Sequence, residues 1–387
     1  MISNFQISVP GKVVFGRGEA HEKVPEIASH GQKILLVHGS NKGRVAWLIS
    51  ALQSAGNTVE TATCEREPDL ATVEAAVSRC RQTGFDAVVA IGGGAAIDLG
   101  KAIAGLARVG GPVTDYLEVV GSGKPLDATP LPFIAIPTTS GTGAEVTRNA
   151  VIGIPEHRRK VSLRDPAMLA DLVIVDPQLT DDCPPHVTVS SGLDAITQLI
   201  EPYISCKANS FTDGLVLSAL PLALNAIKTL MEVEDKLARD ALSWASLASG
   251  MALANSGLGV VHGLAGVLGG MTGAAHGEIC ATLLSASLSI NQREMNAQAA
   301  STGRVDEIEN MMLSNFGEYS GRTGFEKLGH FIRKQGIRPI DKLGLASSDF
   351  DLVAAQSLGS SSMRGNPIVL TEKHLVEILA LSTSTGR

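Results

Sequence analysis

The chain has 387 residues, of which 44% are hydrophobic and 18% are charged, and its formal net charge is −7. This length suits two domains that each bury their own core, and the hydrophobic content excludes an intrinsically disordered protein. The acidic balance, without a concentrated basic face, excludes a nucleic-acid backbone as the partner.

Five scattered cysteines without a C-x-x-C pair indicate neither a disulfide framework nor a zinc ribbon, and they fit a reducing compartment. The first twenty residues lack the basic and apolar regions of a secretory signal. Residues 241–277 carry no Asp, Glu, Lys or Arg, but they are rich in Ala, Gly and Ser and include Asn255, His262 and His276. This composition favours a buried helical core over a membrane span. We therefore expect a cytoplasmic protein without a membrane segment.

The first half of the chain alternates β-branched runs with amphipathic stretches. The runs read as strands at residues 33–39, 85–94, 132–139 and 172–177. Between them, residues 44–56 and 70–84 have helical spacing and end in glycine, as helices often do. Such βα alternation predicts a parallel sheet with helices on its faces.

The pattern changes near residue 185. Residues 211–230, 236–254, 279–290 and 372–382 are rich in Ala and Leu with helical period, and no comparable strand run follows. The segment "DPQLTDDCPP" at 176–185 is a plausible hinge. We expect an α/β domain at residues 1–180 and an all-helical domain at residues 181–387.

The segment "AVVAIGGGAAIDLGKAIAGLA" (87–107) reads as a strand, three glycines and a helix. Small residues at this junction let a phosphate approach the N–H groups of the helix start. Gly92, Gly93, Gly94 and Ala95 are therefore candidates for binding the pyrophosphate of a dinucleotide. A tight turn with Asp98 in the favourable first helical turn explains the same pattern, and both interpretations stay open.

The segment "IPTTSGTGAEVTRNAVI" (136–152) concentrates hydroxyl groups after another strand. Such a loop can bind a ribose or a phosphate. Thr142 and Glu145 also have the spacing of a capping box, so part of the motif could simply begin a helix. The hydroxyl-bearing residues are Thr138, Thr139, Ser140, Thr142 and Thr147.

In "SGLDAITQLIEPY" (191–203), Asp194 and Gln198 lie one helical turn apart. Taken alone, the stretch favours a structural interpretation, in which Ser191 and Asp194 begin the helix and Gln198 hydrogen-bonds to Asp194. His262 and His276, in the uncharged region, shift the balance towards a metal site. Two imidazoles and one carboxylate suit Fe²⁺ or Zn²⁺ and leave positions open for a substrate.

In order and spacing, these motifs, together with "LVIVDPQLT" (172–180) and "NPIVLTEKHLVEIL" (366–379), resemble the iron-containing (group III) alcohol dehydrogenases. The resemblance runs over almost the whole chain. It implies an α/β plus all-α architecture of dehydroquinate synthase type, with an N-terminal Rossmann-like parallel-sheet domain followed by a helical-bundle domain. It also implies a divalent metal in the cleft between the domains, and a homodimer or larger homo-oligomer.

The resemblance assigns the pyrophosphate to the glycine turn, the adenosine ribose to Gly39 and the nicotinamide half to the threonines. NAD-selective members often have an aspartate where this chain has Gly39, so both NAD and NADP are admissible. The cofactor-binding positions implied are Gly39, Gly93, Gly94, Ala95, Asp98, Thr138, Thr139, Thr142, Thr147, Lys160 and Leu179.

The metal positions of the family correspond here to Asp194, Gln198, His262 and His276. The family has a histidine at the second position, and Gln198 is a weaker, neutral donor, which implies weaker metal binding or a site with three protein ligands. Gly266 replaces a histidine that many members carry, which excludes a proton relay through that position.

The implied activity is hydride transfer between NAD(P)(H) and a small alcohol or aldehyde, with Asp194, His262 and His276 holding the catalytic metal. One alternative is a maleylacetate-reductase-like enzyme for anionic aldehydes, with Arg148 as the anion contact. Others are a dehydroquinate-synthase-like lyase and a binding protein that has lost catalysis.

Overall fold

The chain divides into two compact units in a computed structural model that describes residues 4–386. One unit is Ser8–Asp181, and the other is formed mainly by the residues from Asp182 onward. Residues 1–3 and 387, at the ends of the two expected domains, lie outside the described residues.

All strands that the structure describes belong to the first unit. They are β1 (Val13–Phe15), β2 (Lys33–Gly39), β3 (Thr58–Cys64), β4 (Ala87–Gly92), β5 (Phe133–Pro137), β6 (Asn149–Ile154), β7 (Arg159–Arg164) and β8 (Leu172–Val175). The helices of the same unit are α1 (Glu19–Glu22), α2 (Val24–Ala28), α3 (Ala46–Ser54), α4 (Leu70–Thr83) and α5 (Gly94–Leu106).

Six of these strands form a parallel sheet in the order β1-β8-β5-β4-β2-β3. The predicted parallel sheet is therefore confirmed, and the four predicted runs correspond to β2, β4, β5 and β8. The strand β3 was not predicted because its sequence, TVETATC, is polar, as suits the edge of the sheet. The strands β6 and β7 pair as a separate antiparallel hairpin.

The chain reverses direction across the sheet at β2, which pairs with β3 on one side and β4 on the other. In open α/β sheets, ligands bind beyond the carboxyl ends of the strands at such a switch point. Gly39 is the last residue of β2, and Gly92 is the last residue of β4. The two ends are close together, since a Cβ built on Gly92 would lie 3.4 Å from the Gly39 nitrogen. The topology thus places both glycines at the expected ligand-binding edge.

The second unit is helical throughout the described residues. Its helices are α6 (Pro185–Ile204), α7 (Ser210–Glu232), α8 (Lys236–Ser256), α9 (Val260–Thr272), α10 (His276–Ala297), α11 (Gly303–Asn315), α12 (Gly324–Lys334), α13 (Phe350–Leu358) and α14 (Glu372–Leu381). The predicted segments at 211–230, 236–254, 279–290 and 372–382 lie in α7, α8, α10 and α14.

The expected start of a helix at Ser191 is wrong. The helix α6 begins at Pro185, because proline at the first position already has helical φ and lacks only an N–H that would be unpaired there. Ser191 lies inside the helix and donates a hydrogen bond to the carbonyl oxygen of Val187 at 2.8 Å. Asp194 is therefore held in the middle of a long helix.

The uncharged stretch 241–277 forms most of α8, all of α9 and the start of α10. By length and composition α7 could cross a membrane, and α8 and α9 pass the same test only as a pair bent by 101°. Core helices of globular proteins also pass it. Leu242, Ala245, Leu264 and Leu268 are buried in the hydrophobic core of the second unit, as expected for core helices.

Two ionisable groups are buried between α5 and the loop after β5. The ammonium of Lys101 donates to the Thr147 hydroxyl at 3.0 Å and to the Asn149 carbonyl at 2.9 Å, as well as to the carbonyl of Ala144. Burial lowers the pKa of Lys101 to about 8. Burial raises the pKa of Glu145 to about 7, against smaller opposing effects of a backbone N–H and Lys101.

We expect Glu145 to lower the free energy of unfolding as the pH rises from about 4.5 to about 7. In this range the folded protein keeps a proton on Glu145 that the unfolded chain has already lost. The contribution is on the order of 3 kcal/mol. The Glu145→Gln variant should lack this part of the pH dependence, which urea unfolding at several pH values would measure.

The control is Glu156→Gln, which removes an exposed carboxylate from the same unit. Equal pH dependence of the unfolding free energy in the wild type and in both variants would contradict the assignment to Glu145.

Candidate metal and nucleotide sites

Three side chains predicted as metal ligands converge in the helical unit. Asp194 comes from α6, His262 from α9, and His276 is the first residue of α10. Asp194 Oδ1 lies 3.3 Å from His262 Nε2 and 3.8 Å from His276 Nε2. Asp194 is 1% exposed and His262 is 7% exposed. The structure thus brings a carboxylate and two imidazoles together inside the protein.

Cys280 belongs to the same group and was not predicted from the sequence. Its sulfur lies 3.7 Å from His262 Nε2 and 3.6 Å from His276 Nε2. One potential ligand atom from each of these residues and from Asp194 lies within 4.8 Å of the others. The available signal was the spacing of His276 and Cys280, four residues apart and therefore on one helix face.

Glu201, one turn after Gln198 on α6, orients His262. Its Oε2 lies 2.7 Å from His262 Nδ1, and its Oε1 accepts the backbone N–H of Val261 at 2.7 Å. The carboxylate thereby favours the tautomer of the neutral ring that carries its proton on Nδ1, and it orients Nε2 towards Asp194 and Cys280. The N–H of Val260, the first residue of α9, donates to Asn366 Oδ1 at 3.1 Å.

The pKa values of the two histidines and of Asp194 depend on the groups buried beside them. Burial alone would lower the pKa of both histidines, but Cys280 and Asp194 raise the pKa of His276 to about 9. The same two residues, with Glu201, raise the pKa of His262 well above its ordinary value. Burial opposes ionisation of Asp194, yet His276 and His262 lower its pKa. The carboxylate is therefore held in its charged form.

The group fits a divalent cation. Asp194 Oδ1 is buried and has no hydrogen-bond partner among the described residues, although two imidazole nitrogens are close. A buried carboxylate oxygen without a partner is costly. The protonated imidazoles supply positive charge that a divalent cation would also supply, and two nitrogens with one carboxylate oxygen suit Fe²⁺ or Zn²⁺.

Gln198 and Gly266 are the two positions where the chain departs from the expected family pattern. Gln198 is buried, and its carboxamide oxygen lies 3.5 Å from the Ser249 hydroxyl, which donates to it weakly. Gly266 lies in α9, and a Cβ there would meet open space. The hydrogen bond from Gln198 to Asp194, expected under the structural interpretation, is not among those that the structure shows for the described residues.

The glycine turn of the first unit joins β4 to α5. Gly93 precedes the helix without a side-chain cap, so the first N–H groups of α5 have no side-chain acceptor there. A Cβ on Gly93 would lie 3.3 Å from Thr139 Oγ1, and one on Gly94 would lie 2.8 Å from Thr142 Oγ1. Only glycine gives these hydroxyls such close approach to the turn.

Several other predicted cofactor positions lie near this edge of the sheet. Thr138 follows β5, and its N–H donates to the Gly92 carbonyl at 2.9 Å. Gly39 ends β2, and Ala95 is the second residue of α5. The structure therefore brings together the switch-point glycines and three of the four predicted threonines.

The remaining predicted positions make contacts within the protein. The Thr147 hydroxyl accepts from Lys101 and donates to Ala144. Lys160 forms an ion pair with Glu67, and Leu179 packs against the core of the sheet.

Two local alternatives from the sequence are wrong. Asp98 is not in the first turn of α5, and its Oδ2 accepts the Val151 N–H at 3.1 Å. Thr142 and Glu145 form no capping box, because the chain makes only a short 3₁₀ turn at Ala144–Val146 that follows Gly143 in the left-handed conformation.

Comparison with protein families supports the same division of the chain. A model described as iron-containing alcohol dehydrogenase matches residues 10–177. A model of the C-terminal part of the Fe-containing alcohol dehydrogenase family matches residues 188–383. Together the two models span nearly the whole chain.

Individual relatives carry related names. Long-chain-alcohol dehydrogenase 1 of Geobacillus thermodenitrificans is 41% identical over 70% of this chain and 69% of its own length. Alcohol dehydrogenase 4 of Schizosaccharomyces pombe is 31% identical over 96% of this chain and 87% of its own length. Among solved structures, a 1,3-propanediol oxidoreductase is similar, with a TM-score of 0.84 and 28% identity over 98% of this chain and 100% of that one. The chain therefore belongs to the iron-containing alcohol dehydrogenase family.

Proposed function

We propose that this alcohol oxidoreductase transfers a hydride between NAD(P)(H) and a small alcohol or aldehyde, with a divalent cation held by Asp194, His262 and His276. The observation that carries the proposal is the convergence of these three side chains, with Asp194 Oδ1 buried and without a hydrogen-bond partner among the described residues. Fe²⁺ and Zn²⁺ both suit these ligands.

When bound, the cation supplies a Lewis acid that polarises the oxygen of the substrate. The residues of the chain prepare the site for it. Asp194 provides the negative charge, and Glu201 keeps the proton of His262 on Nδ1 so that Nε2 can bind a cation. The surrounding helices α8 and α9 contribute mainly small apolar side chains, which lower the local dielectric and strengthen these interactions.

The proposed cofactor site is the carboxyl edge of the parallel sheet. The uncapped N–H groups at the start of α5 suit the pyrophosphate, and Gly93 and Gly94 leave the space for its approach. Ala95, Asp98, the four threonines, Lys160 and Leu179 remain proposed cofactor contacts. Gly39 would lie at the adenosine ribose, where both NAD and NADP are admissible.

We further infer that the enzyme works in the cytoplasm as a homodimer or larger homo-oligomer. All five cysteines are free, which fits a reducing compartment. The oligomer rests on the resemblance to the family.

The proposed activity is tested by supplying the purified protein with Fe²⁺ or Zn²⁺, NAD or NADP, and a panel of small alcohols. We expect absorbance of reduced nicotinamide to appear only when all three components are present. The reverse reaction is followed with aldehydes that do or do not carry an anionic group, which also tests the maleylacetate-reductase-like alternative. Turnover by protein stripped of metal would overturn the role of the cation.

We expect Asp194→Asn to lower both metal content and turnover by at least about 100-fold, because the amide removes the buried charge that balances the cation. Metal analysis and the nicotinamide assay measure the two effects. Asp235→Asn is the matched control, since it makes the same change at the start of α8, where asparagine also caps a helix. Equal losses in both variants would point to general damage.

Gly39→Asp should favour NADH over NADPH by about tenfold relative to the wild type, because a carboxylate there repels the 2'-phosphate. The substitution fits without strain, since a Cβ on Gly39 meets nothing within 4 Å. Titration of each reduced nucleotide by its fluorescence measures the two affinities. Gly39→Asn controls for size, and an unchanged affinity ratio in Gly39→Asp would remove Gly39 from the ribose site.

Glu201→Gln should weaken metal binding by roughly 10- to 100-fold, because an amide donor facing Nδ1 favours the wrong tautomer of His262. The amide oxygen can still accept the Val261 N–H, so the first turn of α9 keeps this hydrogen bond. Competition with a chelating dye measures the affinity. Full metal affinity in this variant would show that Glu201 does not position the ligand.

A further inference from the structure

Cys280 lies beside the candidate metal ligands and is not among the metal positions that the family resemblance assigned. It is fully buried, it lies one turn after His276 on α10, and its sulfur approaches both imidazole Nε2 atoms. His262 Nε2 therefore faces two potential ligands, the soft thiol of Cys280 and the carboxylate of Asp194. Asp194 Oδ1, buried and without a hydrogen-bond partner among the described residues, is directed at the same point.

Four of the distances between these atoms can be compared with the separations around one small cation. With bonds of about 2.0 Å to oxygen or nitrogen and about 2.3 Å to sulfur, a tetrahedral zinc ion separates nitrogen from oxygen by about 3.3 Å and nitrogen from sulfur by about 3.5 Å. In the structure, the nitrogen–oxygen separations are 3.3 and 3.8 Å. The nitrogen–sulfur separations are 3.7 and 3.6 Å.

Gln198 is the competing donor, since it occupies the position where the family has its fourth ligand. Its carboxamide oxygen has a weak contact with the Ser249 hydroxyl, and an amide is a poorer ligand than a thiolate for Zn²⁺. The chain thus offers two candidates for the fourth position, and the Cys280 sulfur lies 3.7 and 3.6 Å from the two imidazole nitrogens.

We propose that Cys280, bound as a thiolate, is the fourth protein ligand of the metal. It would take over the role of the family's histidine, whose position is occupied here by Gln198. The thiol releases its proton to solvent when the sulfur binds the cation. The proposal rests on the proposed function, and it specifies the metal: a site with two imidazoles, one carboxylate and one thiolate selects Zn²⁺ over harder cations such as Mn²⁺ and Mg²⁺. A substrate oxygen would then enter as a fifth ligand, as zinc sites permit.

Cobalt(II) is the probe, because a thiolate bound to Co²⁺ gives an intense charge-transfer absorption in the near ultraviolet that nitrogen and oxygen ligands do not give. We expect this band when one equivalent of Co²⁺ is added to the metal-free wild-type protein. It should be lost in Cys280→Ser, and the affinity for Zn²⁺ should fall by at least about tenfold. It should persist in Gln198→Leu and in Cys183→Ser, which changes another buried cysteine of the same unit.

The outcomes separate this inference from the proposed function. Stoichiometric Co²⁺ binding without the band, or a band that survives Cys280→Ser, overturns the ligand role of Cys280 and leaves the metal site standing. Failure of the wild-type protein to bind Co²⁺ or Zn²⁺ overturns both. Should Cys280→Ser not fold, Cys280→Ala takes its place: the band should be lost in this variant too, and a band that persists in Cys280→Ala contradicts the proposal.

Discussion

A negative charge buried beside a long stretch without acidic or basic side chains is the constraint on which the helical unit depends. Asp194 lies almost wholly inside the protein, next to a stretch, residues 241–277, that has no acidic or basic side chain. A carboxylate in such surroundings is tolerated only when positive charge or hydrogen-bond donors compensate it. His262 and His276 are the groups that the fold places there. The same requirement that makes the arrangement costly without a counter-charge makes it suitable for a divalent cation.

The sheet unit depends on a different constraint, which is the space that small residues leave at the carboxyl edge of parallel strands. Gly92, Gly93 and Gly94 bring the start of α5 against Thr139 and Thr142, and a side chain at Gly94 would displace a hydroxyl. Backbone N–H groups at a helix start attract anions, but only where nothing larger than hydrogen shields them. The candidate metal site of the helical unit thus depends on a buried charge. The candidate nucleotide site of the sheet unit depends on backbone N–H groups that no side chain covers.

The sequence predicted the parts of this structure that arise from local patterns. The glycine turn, the central strands and the grouping of Asp194 with two histidines all follow from runs, spacing and residue type. It missed Cys280, because a single cysteine in an Ala- and Leu-rich helix has the pattern of a core residue, and only the packing of α9 against α10 brings it to His262 as well as to His276. The wrong helix start at Ser191 has a related cause, since serine also occurs inside helices, bonded to a carbonyl one turn back.

The carboxylate of Glu201 makes two contacts with α9. One oxygen accepts the Val261 N–H in the first turn of the helix, and the other contacts the ring of His262. Fraying of that turn would free the imidazole to rotate, and rotation of the imidazole would remove one restraint on the turn. Local order and ligand geometry are consequently a single cooperative event. Amide hydrogen exchange at Val261 would therefore report indirectly on whether the imidazole of His262 is held in the orientation that suits a metal ligand.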